Sequence, residues 1–152
     1  MNAKFELTKR GFKKQGFWKD TNTNKYDPNL NPKIIGKRYF LYAYVIDNEV
    51  MYIGKCHRTV GARMNDYALN KSDDFQGKHV NGLRAAIKNN IEVDIYIYIP
   101  DIQIVGTIKV DDKEIKNQDA IEDITKGILH GLETKYLKEF RDRNECKWNT
   151  QS

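Results

Sequence analysis

Tyr52-Ile53-Gly54-Lys55 closes a short apolar strand, residues 50–53, at the point where the chain turns toward a helix. Upstream, Arg38–Ile46 is rich in aromatic and β-branched residues and predicts a partner strand, with the hairpin turning at Asp47-Asn48-Glu49. On that partner Phe40, Tyr42 and Tyr44 share one face. Tyr42 and Tyr52 reach a common face only if the strands pair with an even residue sum, Tyr44 opposite Tyr52 for example. That register predicts a three-residue loop or a bulge at the turn, rather than a two-residue turn. Downstream, Thr59 is a candidate N-cap for a helix running through Tyr67, on which Arg63 and Tyr67 are neighbours one turn apart.

Beyond this unit, residues 69–78 read as a polar loop and 79–89 as a helix with Val80, Leu83 and Ile87 inward. Residues 91–99 alternate Ile and Val with Glu92, Asp94, Tyr96 and Tyr98, a strand with one wet face at its start. Residues 102–116 add a small hairpin around Asp111-Asp112. Residues 118–143 form a long helix whose buried stripe is Ile121, Ile124, Ile128, Leu129, Leu132, Tyr136 and Phe140. The expected fold class is α+β: a small, mainly antiparallel sheet, hairpin plus a third central strand, flanked by helices.

The 152 residues suit one domain. No apolar run approaches the ~20 residues of a membrane helix and no signal-peptide segment is apparent, so a cytoplasmic protein without membrane association is expected. Cys56 and Cys146 are read as free thiols. The positive charge is concentrated: residues 1–38 carry ten Lys and Arg against three acids, the remainder sixteen against eighteen. Residues 1–36 are therefore read as a basic N-terminal arm on a domain spanning 37–152. Lys9, Arg10, Lys13 and Lys14 of the arm, with Arg38 just beyond it, are candidate phosphate contacts, because each cation that meets a phosphate releases a counterion. Two readings of the arm stand. Phe5, Phe12, Phe17 and Trp18 either stack on bases or pin the segment to the body.

Glu133 interrupts the apolar stripe of the last helix, between Leu129, Leu132, Tyr136 and Leu137. A carboxylate on such a face needs a partner, either a nearby Lys or a cation. Magnesium is often held by one carboxylate and several waters.

Taken in order, these residues resemble the GIY-YIG nuclease superfamily over most of residues 38–149. The second family motif stands unaltered as Tyr52-Ile53-Gly54, whereas Phe40-Leu41-Tyr42 replaces Gly-Ile-Tyr and keeps only its Tyr. Arg63, Tyr67, Glu133 and the terminal Trp148-Asn149 match the remaining positions, and the short intervals look most like the compact type II restriction endonucleases of the superfamily. The resemblance implies a metal-dependent endonuclease that cuts double-stranded DNA to 5′-phosphate and 3′-hydroxyl. One Mg2+ or Mn2+ would sit on Glu133, with Tyr42 as general base and Tyr52 and Tyr67 on the water or the phosphate. Arg63 would hold the non-bridging oxygens through its planar guanidinium. Lys55 beside the phenols would make a phenolate accessible. His57, Arg58 and Asn149 join the substrate-contact set. Recognition would fall to the arm, the 69–78 loop and the 102–116 hairpin. One site cuts one strand, so a homodimer is expected on a palindrome. Two alternatives stay open: a nicking, structure-dependent or partner-targeted nuclease of the same fold, and a non-catalytic nucleic-acid-binding module.

Overall fold

Alternation along residues 38–59 builds one half of a five-stranded antiparallel sheet, and residues set aside as an arm build much of the other half. The computed structural model describes residues 2–23, 25–69, 77–103, 105–115 and 118–150. In chain order the elements are α1 (Ala3–Lys9), β1 (Lys13–Asp20), β2 (Tyr26–Asp27), β3 (Arg38–Ile46), β4 (Glu49–Thr59), α2 (Val60–Ala68), α3 (Lys78–Lys88), β5 (Val93–Tyr98), β6 (Lys109–Val110), β7 (Lys113–Glu114) and α4 (Gln118–Arg141). The sheet order is β2-β1-β5-β3-β4, so β5 is central and β4, which carries Tyr52 and Gly54, is an edge. The α+β expectation holds, and so does the central place of the third strand. β6 and β7 form the separate small hairpin expected around Asp111-Asp112.

Both sheet faces are covered. On one, Trp18, Phe40, Tyr42, Tyr44 and Ile95 pack against Val60, Met64 and Tyr67 of α2 and Val80, Leu83 and Ile87 of α3. On the other, Leu41, Ala43, Val45, Ile53 and Tyr96 pack against Ala3 and Leu7 of α1 and Leu129 and Phe140 of α4. This double cover explains why β5 has no wet face. Asp94 is buried there, with Lys14 at 3.2 Å and Lys4 at 3.9 Å supplying the counter-charge that a buried carboxylate requires.

The arm reading is corrected. Residues 13–20 pair with β5 on one side and β2 on the other, and Leu7, Phe12 and Trp18 are essentially inaccessible. Burial of such side chains stabilises by roughly 1.5–3 kcal/mol each, while Lys13, Lys14 and Lys19 of the same strand stay exposed. Arg10 is also withdrawn from the phosphate-contact set. It bonds Glu6 at 2.8 Å and Glu139 at 2.9 Å and lies over Phe140, tying α1 to α4. Lys14 is engaged with Asp94, while Lys9 and Lys13 remain exposed.

The hairpin has the expected register, Tyr44 opposite Tyr52, but reaches it differently. Asp47 and Asn48 form a two-residue turn with φ of 46° and 68°, the doubly left-handed turn that suits the twist of two paired strands. A bulge between Tyr44 and Val45 leaves Met51 as the extra residue and restores the even sum. The bulge therefore lies up the strand rather than at the turn.

Candidate active site

The even register brings Tyr42, Tyr44 and Tyr52 onto one face, where Tyr67 descends from α2. Tyr42 and Tyr67 share a hydrogen bond of 2.6 Å between their phenol oxygens. The ring of Tyr52 lies 5.7 Å from that of Tyr42. Gly54 is opposite Tyr42, and the two phenol rings lie directly over it. A Cβ there would be 2.7 Å from Tyr42 Cζ, 2.7 Å from Tyr52 Cε1 and 2.8 Å from the Tyr42 oxygen. The glycine is thus required for space rather than for backbone freedom. Gly54→Ala is expected to lower stability by about 1–3 kcal/mol, as overpacking does. Because it displaces both phenols, it should also reduce any activity of the site by about ten- to a hundredfold. Thermal melting and a cleavage assay check the two effects separately, and an unperturbed, fully active Ala variant would contradict the packing.

Burial pushes Tyr42 and Tyr67 well above the ordinary phenol pKa, and Tyr52 to a smaller degree. The cation that opposes this shift in all three is Arg63. The sequence reading gave that task to Lys55. In the structure Lys55 points to the opposite side of β4, with its ammonium 3.1 Å from His130 Nδ1 and 4.0 Å from Glu133 Oε1. Burial raises the Glu133 pKa, while Lys55 and His130 oppose the rise, and the Lys55 backbone also hydrogen-bonds the carboxylate.

Glu133 and Asn149 thus attend successive outward-facing residues of the edge strand. The Asn149 side chain accepts from Ile53 N–H at 3.1 Å and donates to Ile53 C=O at 2.8 Å. The tail also donates from Cys146 N–H to Val50 C=O and from Trp148 N–H to Met51 C=O. Asn149 was expected to contact substrate. Its amide is instead occupied in fixing the residue between Tyr52 and Gly54, because an edge strand leaves those backbone groups to be satisfied by something outside the sheet.

Arg63 is partly buried and electrostatically coupled to the phenols of Tyr42 and Tyr67. Burial works against its charge, yet Tyr42, Cys56 and Tyr67 raise its pKa above the usual guanidinium value. Arg58, by contrast, is exposed and ion-paired with Asp66, which also lies 3.8 Å from Arg63. His57 is exposed at the strand end. Burial of its ring, then Lys126, Arg63, Lys55 and Arg38, lowers its pKa. Arg38 donates from Nε to the His57 carbonyl at 3.2 Å.

A cleft of about 420 Å³ exposes this chemistry, lined among others by Tyr52, His79, Glu133, Arg141 and Asn149. A larger cavity of about 730 Å³ holds Lys78, Arg141 and Lys147 but none of the phenols. Sharing Arg141 and Asn149, the two are adjacent stretches of one surface. His79, His130 and Lys126 were not singled out by sequence. Each acts across 27 residues or more, on Tyr52, Lys55 and His57 respectively, and single residues at such separations carry no spacing signal. Most of the 69–78 loop, residues 70–76, lies outside the described residues.

No helix among the described residues is long and apolar enough to cross a membrane. No protein-family model matches the chain, and no curated protein matches it. Solved structures do, among them two endonucleases. A mutant of bacteriophage T4 EndoII superposes with a TM-score of 0.65 at 18% identity, covering 99% of this chain and 100% of that one. The restriction endonuclease HPY188I in complex with product DNA gives 0.50 at 20% identity, covering 79% and 73% respectively. At these identities the likeness is one of architecture: the chain has the fold of a phage endonuclease over its whole length, and of a restriction endonuclease over most of it.

Proposed function

We propose that the protein is a divalent-metal-dependent DNA endonuclease of the GIY-YIG type, cutting phosphodiesters to 5′-phosphate and 3′-hydroxyl, with restriction-type double-strand cleavage as the leading form. One observation carries the reading. The three phenols and Arg63 on one side of β4, and Lys55 with Glu133 on the other, meet at the edge strand, where Tyr52 and Glu133 line one cleft. The two endonuclease folds add to it, the second having been captured with DNA.

The donor set fits a hard divalent cation. Among the described residues no three His, Cys, Asp or Glu side chains cluster, so Glu133 would hold Mg2+ or Mn2+ with waters and the phosphate as remaining ligands. When bound, the ion supplies Lewis-acid charge for the leaving oxygen. The residues of the chain do the rest. Arg63, partly buried beside the phenols, takes the non-bridging oxygens and stabilises negative charge that grows in the transition state. Tyr52, the phenol on the cleft wall, orients water or phosphate. Tyr42, bonded to Tyr67, would accept the water's proton as its phenolate, its own proton having first left to solvent; burial opposes that ionisation and the Arg63 charge favours it. Lys55 favours the ionised form of Glu133 against its burial. The DNA backbone continues from the cleft along Lys78, Arg141 and Lys147, with His57, Arg58, Arg38 and Lys126 at the other end of the site. Lys9 and Lys13 remain candidates for outer phosphate contacts. Cleavage of both strands requires two copies, so a homodimer assembles on DNA.

Plasmid incubated with the protein and Mg2+ tests the reading. Discrete linear fragments support a restriction-type enzyme, nicked circles a nicking nuclease, and intact but retarded plasmid a binding module. In the same assay Arg63→Ala should lose about a hundredfold or more in turnover, as when a transition-state donor is removed. Arg58→Ala, at an exposed ion pair, should mainly weaken binding. Equal losses of turnover would displace Arg63 from the phosphate.

A further inference from the structure

The ring of Tyr52 is held on its inner side by the aromatic cluster and by the floor at Gly54. Its outer side faces the cleft, which His79 also lines. The His79 imidazole stacks on the ring at 4.6 Å between centroids and 9° between planes. The same imidazole meets Tyr67 edge-on at 5.7 Å and 73°. We infer that His79 is a positioning residue of the active site, clamping the Tyr52 phenol in the direction it needs to meet substrate.

The clamp is built from several independent features. His79 is the second residue of α3, a helix anchored through Val80, Leu83 and Ile87 in the core. Gly77, just before it, has φ of +148°, and a Cβ there would lie 3.0 Å from His79 Cε1 and 3.1 Å from Nδ1. The glycine therefore leaves room for the ring to fold back toward β4. The next turn of α3 is fixed by Gly82, where a Cβ would meet Trp148 Cε2 and Nε1 at 2.6 Å each. Trp148 in turn belongs to the tail that secures β4, so both the clamp and the clamped strand are referenced to one element. Burial, with Arg63 adding to it, keeps the imidazole neutral at neutral pH, which suits a flat stack on a phenol better than a hydrated cation does. Tyr52 is the least buried of the three site phenols, so it is the one whose aim is not already fixed by surrounding core.

The inference rests on the nuclease reading for its effect on rate, and the test separates the two. Wild type, His79→Phe and His79→Ala are compared with 13C-labelled tyrosine rings and in Mg2+-dependent plasmid cleavage. His79→Phe keeps an aromatic face and removes both nitrogens. The expected result is that His79→Ala shifts the Tyr52 ring signals and leaves those of Tyr42 and Tyr44 in place. It should lower kcat about ten- to a hundredfold with KM little changed, the size of effect expected when a reacting group is misaimed. His79→Phe should restore most of both. A folded Phe variant as slow as the Ala variant would overturn the inference, because the nitrogens rather than the ring face would then matter. So would an Ala variant with unmoved Tyr52 signals, or one that cuts at the wild-type rate. A wild type that does not cut counts against the nuclease reading alone, and the ring signals then decide the clamp.

Discussion

Glu133→Gln is expected to give a folded protein that binds DNA at least as tightly as wild type and cuts it about a hundred- to a thousandfold more slowly in Mg2+ or Mn2+. The amide matches the carboxylate in shape, so packing beside Leu132 and Leu137 is preserved and only the charge is lost. That charge is what a divalent ion requires at a site where no three His, Cys, Asp or Glu side chains cluster among the described residues. Removing it also lessens repulsion of the phosphate, hence undiminished binding. Lys55 loses its charged partner at 4.0 Å, and it becomes available to an anion. Burial raises the Glu133 pKa, so protons should displace the ion at a pH above that of an exposed glutamate, and cleavage should fall on acidification sooner than binding does. Anisotropy in chelator and a plasmid digest with added metal report the two properties separately. A Gln variant with wild-type turnover, or a wild type that cuts in excess chelator, removes the metal from the mechanism.

Deleting residues 1–30 should abolish folding. A detachable arm would instead leave a folded domain with weaker DNA binding. The deletion removes β1 and β2 and leaves β5, the central strand, with an unpaired edge. It also strips Leu7, Phe12, Trp18 and Tyr26 from two cores. At roughly 1.5–3 kcal/mol each, these four contribute an amount comparable with the about 5–15 kcal/mol by which domains are stable. Loss of the cooperative thermal transition in circular dichroism is the expected observation. A soluble truncated domain with wild-type melting would mean that β1 is dispensable.

The contrast between these two segments shows what the sequence could carry. Tyr42, Tyr52, Arg63 and Tyr67 were legible because their strand and helix periodicities are local, and their register follows from parity alone. Glu133 was legible because it breaks an apolar stripe. β1 was not, since Lys13-Lys14-Gln15-Gly16-Phe17-Trp18-Lys19 has almost no apolar alternation. Its burial comes at Gly16 and Trp18, and Gly16 is needed only because Pro28 C=O would lie 2.4 Å from a Cβ there. Arg10 looked like a phosphate ligand because its carboxylate partners are Glu6, one turn away, and Glu139, which only the fold brings near. Asn149 was found by its place beside Trp148, but its bond to Ile53 spans 96 residues and no local pattern predicts it.

That bond has a consequence for how copies of the protein behave toward one another in a crowded solution. Val50-Met51-Tyr52-Ile53 is an apolar, uncharged segment on the outermost strand, the kind of edge that templates strand addition from a neighbouring molecule. The tail occupies the same backbone groups that such an intruder would use. Residues 146–149 therefore act as an internal competitor against aggregation, and loosening them would expose to self-association the very strand on which Tyr52 and Gly54 depend.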